Sequence, residues 1–413
     1  MKIVHITPHL GGGVGKAHAS LCAASPTDCE HHFVLLEEAR DHRYVDQIRE
    51  TAACVTLGET PQQLHDLMAG ADIVQFEWWN HPLMCGLLAG PPLPAMRSVF
   101  WSHVSGVCAP FIPAALIEGA DRFVFTSACS RLAPNLSGPD VDCLKRTDVI
   151  NSGFCHPETV TDGAHASGKG GISYLGTVDF TKMSPAMMQV IDRLEADNVA
   201  LDVWGGVHDN SPVHMEIAAM KHPERFRLRG HSADPVGALS RTSVFMYLLQ
   251  PFHFGTAENA LIEAMSLGCA PLVFANPCEL AIVRDGETGL VASSVDHAVE
   301  LLGWMLDNPD EVSRIGANAR TEICALKTPG RSIAAFRALW TEAMQKPKRS
   351  PDFSRALGAT PRDWYDTLNG GKLPPNHNTL QSSHAASKGS LAHFKAYYPD
   401  LDRPQQRPIE PIR

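Results

Sequence analysis

The sequence holds a run of glycines, Gly11-Gly12-Gly13-Val14-Gly15-Lys16, between an apolar stretch from Lys2 to Thr7 and a helical pattern that begins near Ala17. A strand that turns through glycines into a helix offers bare backbone amides to an anion or a sugar, and the absence of side chains allows close approach. Gly12 and Gly13 are therefore candidates for ligand contact, beside the plainer reading of a flexible strand-to-helix turn. The run fits no named phosphate loop: a P-loop needs Gly in place of Leu10 and Ser or Thr in place of Ala17, and a dinucleotide fingerprint started at Gly11 needs Gly in place of Lys16. ATP and NAD readings lose most of their weight.

Two further stretches lie at the ends of apolar runs. Arg97 to Ser102 leads into His103-Val104-Ser105-Gly106, which places His103 at a strand carboxyl end, where doubly wound sheets gather ligands. Ala71 to Phe76 leads into Glu77-Trp78-Trp79-Asn80-His81, where Glu77 and the face of Trp78 would suit an acceptor sugar or ring, with core packing of the tryptophans as the alternative.

The longest ordered pattern is Phe254-Gly255-Thr256-Ala257-Glu258-Asn259-Ala260-Leu261-Ile262-Glu263-Ala264-Met265-Ser266-Leu267-Gly268, continued by Cys269 to Val273 and, further on, by Glu279, Ile282-Val283 and Asp285-Gly286-Glu287-Thr288-Gly289-Leu290-Val291. It resembles the loop, helix and strand at the donor site of family 4 retaining glycosyltransferases, the glycosyl transferases group 1. A turn at Gly255-Thr256 would aim the amides of Thr256, Ala257, Glu258 and Asn259 at a donor diphosphate, with the helix dipole favouring the anion. Glu263, one to two turns into the helix, would accept both ribose hydroxyls.

The resemblance also carries a strand followed by Gly-Arg and then Lys, basic groups that neutralise the departing diphosphate. The counterpart is Gly176-Thr177-Val178-Asp179-Phe180-Thr181-Lys182, in which Gly176 and Lys182 keep their places and Thr177 stands where the arginine is expected. A second departure is Gly255, eight positions before Glu263, where the family carries a glutamate. Glu258 is the residue available to contact the donor sugar in its stead, or else it caps the helix. Arg229, at the end of the run Phe226 to Arg229, is a secondary source of positive charge. His103 is similar to the family's acceptor-domain histidine near the donor sugar.

The resemblance implies transfer with retained anomeric configuration and no assured protein nucleophile, so that leaving-group stabilisation does most of the work. Lys182 and the amides of Thr256 to Asn259 would hold the diphosphate, Glu263 would anchor the nucleotide, and His103 with Glu258 would orient the sugar. The design requires no cofactor and no divalent metal; a UDP- or GDP-sugar is the expected co-substrate. Asp140-Val141-Asp142 and Asp400-Leu401-Asp402 follow no clear strand and are poor metal motifs.

These residues need a scaffold. Apolar runs at Lys2 to Thr7, His32 to Glu37, Ala71 to Phe76, Arg97 to Ser102, Arg122 to Thr126 and Asp148 to Asn151 alternate with helical patterns, the signature of a parallel, doubly wound α/β sheet. The pattern restarts at Ile172 to Gly176, Ala200 to Trp204, Phe226 to Arg229, Val244 to Tyr247 and Ala270 to Phe274. The expected architecture is GT-B, two Rossmann-like domains facing across a cleft: an acceptor domain over 1–155, a linker over 156–171, a nucleotide-sugar-binding domain over 172–345 and an extended tail over 346–413, punctuated by Trp364, Tyr365, Phe394, Tyr397 and Tyr398.

Composition bounds the rest. A formal charge of -10 argues against a nucleic-acid binder, which needs clustered Lys and Arg. Eleven cysteines, an odd number without a C-x-x-C pair, suit a reduced set of small apolar residues and a cytoplasmic setting. The start of the sequence has no signal-peptide core and no run approaches the length of a membrane span, so membrane contact would be peripheral, as for a lipid-linked acceptor. The acceptor itself, glycan, lipid-linked or small molecule, is open. Rival readings are a nucleotide-sugar epimerase or hydrolase on the same scaffold, and a sugar-nucleotide-binding protein without catalysis, the latter motivated by Gly255 and Thr177.

Overall fold

The computed structural model describes residues 1–413 except 40, 52, 137–141, 156–169, 197, 233, 240, 252, 254, 371–388 and 402–413. Two parallel sheets organise it. The first comprises β1 (Lys2–Thr7), β2 (Glu30–Leu35), β3 (Cys54–Leu57), β4 (Ile73–Trp78), β5 (Ser98–Ser102), β6 (Arg122–Phe125) and β7 (Thr147–Val149), in the order β3-β2-β1-β4-β5-β6-β7. The second comprises β8 (Gly171–Leu175), β9 (Leu201–Trp204), β10 (Phe226–Gly230), β11 (Thr242–Tyr247), β12 (Ala270–Phe274) and β13 (Leu290–Ala292), in the order β10-β9-β8-β11-β12-β13. In both, the strand order reverses beside the first strand, so β1/β4 and β8/β11 are the switch points at which doubly wound sheets bind ligands.

The central strands read as near-continuous apolar runs because helices cover both of their faces. β3 and β13 escaped the sequence reading; both are short strands at sheet edges, where fewer side chains face the core.

The chain separates into two compact units, Met1–Gly153 with Phe254–Ala257 and Pro329–Arg413, and Phe154–His253 with Glu258–Thr328. This differs from the sequence-based division in two respects. The helix Pro329–Met344, expected to close the second domain, belongs to the first unit, where Trp340 Nε1 donates to Gln75 Oε1 at 2.9 Å and Phe336 packs edge-on against Trp101. The residues after 345 are not an extended tail: helices Ser354–Leu357, Pro361–Leu368 and Leu391–Tyr397 fold back into the first unit's core. Phe353, Leu357, Trp364, Leu368 and Phe394 are buried there with Phe76, Trp78 and Phe100. Thr360 caps the middle helix through a reciprocal capping box with Asp363, a local signal among breakers that otherwise suggest an open chain. The expected linker lies almost wholly outside the described residues.

Candidate functional site

In the second unit, the loops that leave β8 and β11 meet at the switch point. Gln250 N–H donates to the carbonyl of Lys182 at 2.8 Å, and Ser184 N–H to that of Leu248 at 3.0 Å. This zipping holds Lys182 against the segment that leads to the helix Asn259–Ser266. Its ammonium lies 3.0 Å from Glu258 Oε2 and 5.6 Å from the centre of the Tyr247 ring. Tyr247 O–H donates to the same carboxylate oxygen at 2.6 Å.

Glu258 is fully buried in side chain and takes the left-handed backbone conformation, φ 42° and ψ 52°. A non-glycine residue there costs roughly 1–2 kcal/mol, a strain that folded proteins retain chiefly at functional positions. Although it occupies the helix N-cap, its side chain makes no capping bond, which overturns the capping reading: the left-handed turn sends the carboxylate inward to Lys182. Burial by itself would raise the Glu258 pKa, but Lys182, His253 and the Tyr247 hydroxyl outweigh it and hold the carboxyl below its ordinary value. Burial, and then Glu258, push the Tyr247 phenol well up, so it remains a neutral donor.

Two buried polar atoms at this helix start, Glu258 Oε1 and Asn259 Oδ1, have no hydrogen-bond partner among the described residues. Groups of this kind are rare unless a ligand or water completes them. Glu263 lies further along the helix and is half-buried, flanked by buried Ile262 and Ala264. Gly176 follows β8 at φ 154°, where a Cβ would come within 2.8 Å of the Tyr174 hydroxyl. Arg229 is bound to Asp202 at 2.8 Å, which takes up the charge it would lend elsewhere.

The remaining sequence candidates fall in the first unit. Thr256 is buried and its hydroxyl accepts from Thr126 Oγ1 at 3.0 Å; Ala257, half-buried, follows it. The helix after the glycine run spans Gly12–Ala23, earlier than the expected start near Ala17, and Gly12 and Gly13 at its first turn are exposed. Gly15 cannot be replaced without rebuilding this turn, because a Cβ there would lie 1.7 Å from the Leu10 carbonyl oxygen.

His103 follows β5 and is fixed by Glu77, its Nε2 lying 2.8 Å from Oε2. Glu77 and Trp78 do not meet an acceptor as expected. β4 runs two residues further than the apolar pattern indicates, through Trp78, so both side chains are committed to the interior and neither is exposed. Trp78 joins the core beside Phe100, while Glu77 points to the opposite face among His5, His18, His103 and Gln75. Burial alone would raise Glu77, yet His18, His103 and His5 hold its carboxyl well below the usual range. His5 is lowered to about 4 and His31 to about 3, in each case chiefly by burial. The sequence reading missed His5, His18 and His31; the available signal was polar residues at every second position of buried strands, His31 on β2, His5 on β1, Gln75 and Glu77 on β4.

No helix among the described residues is long and apolar enough to cross a membrane. Among the described residues no cysteine is joined in a disulfide.

No curated protein sequence matches the chain. Among solved structures it is similar to HepE of Anabaena in complex with UDP and glucose, at TM-score 0.64 and 12% identity, covering 83% of this chain and all of that one (100%). It is also similar to a glycosyltransferase from Rickettsia africae, at TM-score 0.63 and 12% identity over 84% of this chain and 99% of that one. Sucrose-phosphate synthase from Thermosynechococcus elongatus matches at TM-score 0.63 and 15% identity over 84% and 99%. At such identities the likeness shows the fold, the two Rossmann-like α/β units of GT-B proteins. Residues 160–322, the stretch that holds Lys182, Glu258 and Glu263, match the family model described as glycosyl transferases group 1.

Proposed function

We propose that the protein is a retaining glycosyltransferase that moves a sugar from a nucleotide-sugar donor to an acceptor hydroxyl, in glycan or glycoconjugate biosynthesis. The observation that carries this reading is the Lys182–Glu258 pair at the β8/β11 switch point, inside the stretch that matches the group 1 model. A lysine with 17% side-chain exposure, held over a tyrosine ring by a buried carboxylate, is positioned at low rotational cost. Its charge would stabilise the diphosphate as the glycosidic bond to the sugar breaks.

In this reading Glu258 takes part of the work of the glutamate replaced by Gly255. Its Oε1, 3.8 Å from His253 Nδ1, and the Asn259 side-chain oxygen are acceptors for donor hydroxyls, and Glu263 anchors the ribose. Gly176 lets the donor approach the end of β8, while Gly12 and Gly13 offer amides in the first unit, as do Thr256 and Ala257. The role of His103 in orienting the sugar rests on the resemblance and on its fixed hydrogen bond to Glu77. The HepE complex contains UDP and glucose, so UDP-glucose is the first donor to test and GDP-sugars the next; no cofactor is needed by this mechanism. The setting proposed is cytoplasmic, with peripheral membrane contact if the acceptor is lipid-linked.

Incubation with each donor, with and without an acceptor panel, tests the reaction class. Acceptor-dependent release of nucleotide with retained anomeric configuration is expected. Donor turnover without any acceptor would indicate a hydrolase or epimerase on the same scaffold.

A further inference from the structure

We propose that His5, His18 and Glu77 form a buried binding site for one divalent transition-metal ion of the zinc class, a site independent of the nucleotide-sugar reading. β1 and β4 pair in parallel with His5 opposite Gln75, so His5 and Glu77, two residues on, rise from one face of the sheet. The helix Gly12–Ala23 brings His18 to the same face. His5 Nδ1 is hydrogen-bonded to Glu77 Oε1 at 3.1 Å, a bond that an ion would replace, and His18 Nε2 lies 3.1 Å from Oε2. The three ligand atoms fall within 4.8 Å of one another.

Two features separate this group from an ordinary hydrogen-bonded cluster. First, His18 Nε2 is buried and, among the described residues, makes no hydrogen bond of good geometry although the carboxylate is 3.1 Å away. A nitrogen close to an acceptor but out of line with it is the arrangement of two neighbouring ligands that face a common ion; ligands about 2.1 Å from a tetrahedral zinc stand about 3.4 Å apart, so the two contacts would open by about 0.3 Å around it. Second, the outer contacts are those that orient metal ligands. His5 Nε2 is 2.9 Å from His31 Nδ1, and His31 Nε2 is 2.8 Å from Ser25 Oγ. Gln75 donates to Glu77 Oε1 at 2.9 Å and is itself held by Trp340.

The side-chain exposures of His5, His18 and Glu77 are 2%, 2% and 0%, so a carboxylate is enclosed here among imidazoles, and a cation would offset its desolvation. Two imidazoles and one carboxylate suit zinc and similar ions; calcium and magnesium favour all-oxygen sites. The ion would lock Glu77, and through Oε2 the ring of His103, making it a structural support for that histidine.

The test uses the full chain, purified without chelator or metal-affinity resin. Elemental analysis should find about one zinc-class ion per chain, and the metal-stripped protein should take up one equivalent of Co2+ with a d–d absorption spectrum and a rise in Tm that Ca2+ and Mg2+ do not produce. His18→Asn should abolish both while its circular dichroism stays native. If that variant does not fold, His31→Gln should weaken Co2+ affinity about 10–100-fold. The proposal is overturned if folded wild-type protein neither retains metal nor responds to Co2+. It is equally overturned by Co2+ binding that persists unchanged in the variant, or that shows a cysteine-to-cobalt charge-transfer band, which would place the ion at His253, Cys278 and Glu279.

Discussion

Lys182 Nζ lies 3.0 Å from Glu258 Oε2, and the two residues come from loops on either side of the point where the second sheet reverses its strand order. The pair fixes a cation where, on the proposed function, a diphosphate would need one, and it accounts for a left-handed glutamate that a sequence pattern could not foresee.

Lys182→Ala should lower transfer by about 10²–10³-fold, the usual scale for removing one group that stabilises developing charge. Donor binding should weaken less than turnover. Steady-state kinetics separates the two: an unchanged kcat with a raised KM would mean that Lys182 serves binding alone.

Glu258→Gln keeps the shape but removes the charge facing Lys182. Because Oε2 receives both the lysine and the Tyr247 hydroxyl, the variant should lose activity, while Tyr247→Phe should cost less. Glu258→Gly relieves the backbone cost yet removes both carboxylate oxygens, so it should be inactive despite the easier turn. Activity retained in Glu258→Gly would show that the carboxylate has no part in catalysis.

Truncation before Arg349 should destabilise the first unit. Trp364 and Phe394 are 1% and 0% exposed, and loss of one such side chain alone costs about 3–5 kcal/mol. Chemical denaturation of Trp364→Ala measures this directly; a variant as stable as wild type would mean the C-terminal helices are not docked in solution.

Glu37 connects the C-terminal helix Leu391–Tyr397 to the N-terminal part of the chain, accepting from the Tyr397 hydroxyl and lying 3.3 Å from His81. Burial opposes ionisation, but His81, Tyr397 and His9 prevail and lower its pKa from 4.5 to about 2. The sign follows: the stability it supplies is fully present above pH 4.5 and is lost as the pH falls toward 2. Tyr397→Phe should raise the Glu37 pKa, read by NMR titration, and make the helix easier to cleave by protease near pH 3.5 than at pH 6. No change in that pKa would contradict the contact.

Much of the scaffold was legible because parallel strands buried on both faces leave continuous apolar runs, and Lys2–Thr7 and Ala270–Phe274 match their observed bounds. Gly176, Lys182 and Glu263 stand out in the sequence through their ordered spacing, and the structure places Lys182 beside Glu258 and Glu263 half-buried on the helix Asn259–Ser266. What remained hidden depends on three-dimensional closure. A histidine such as His18 on a largely apolar helix has no partner visible in sequence, and Trp364 among breakers looks solvent-facing until the first unit's core receives it. Glu77 was misplaced because charge marks strand ends in most sequences, whereas here three histidines surround it inside the strand.

Calorimetric titration of UDP-, GDP-, ADP- and dTDP-sugars into wild-type protein and Glu263→Ala bears most directly on the donor site. The account predicts that one nucleotide class binds the wild type and that its affinity falls at least about tenfold, about 1.4 kcal/mol, in the variant. Absence of binding by every donor, or binding unchanged in Glu263→Ala, would contradict it.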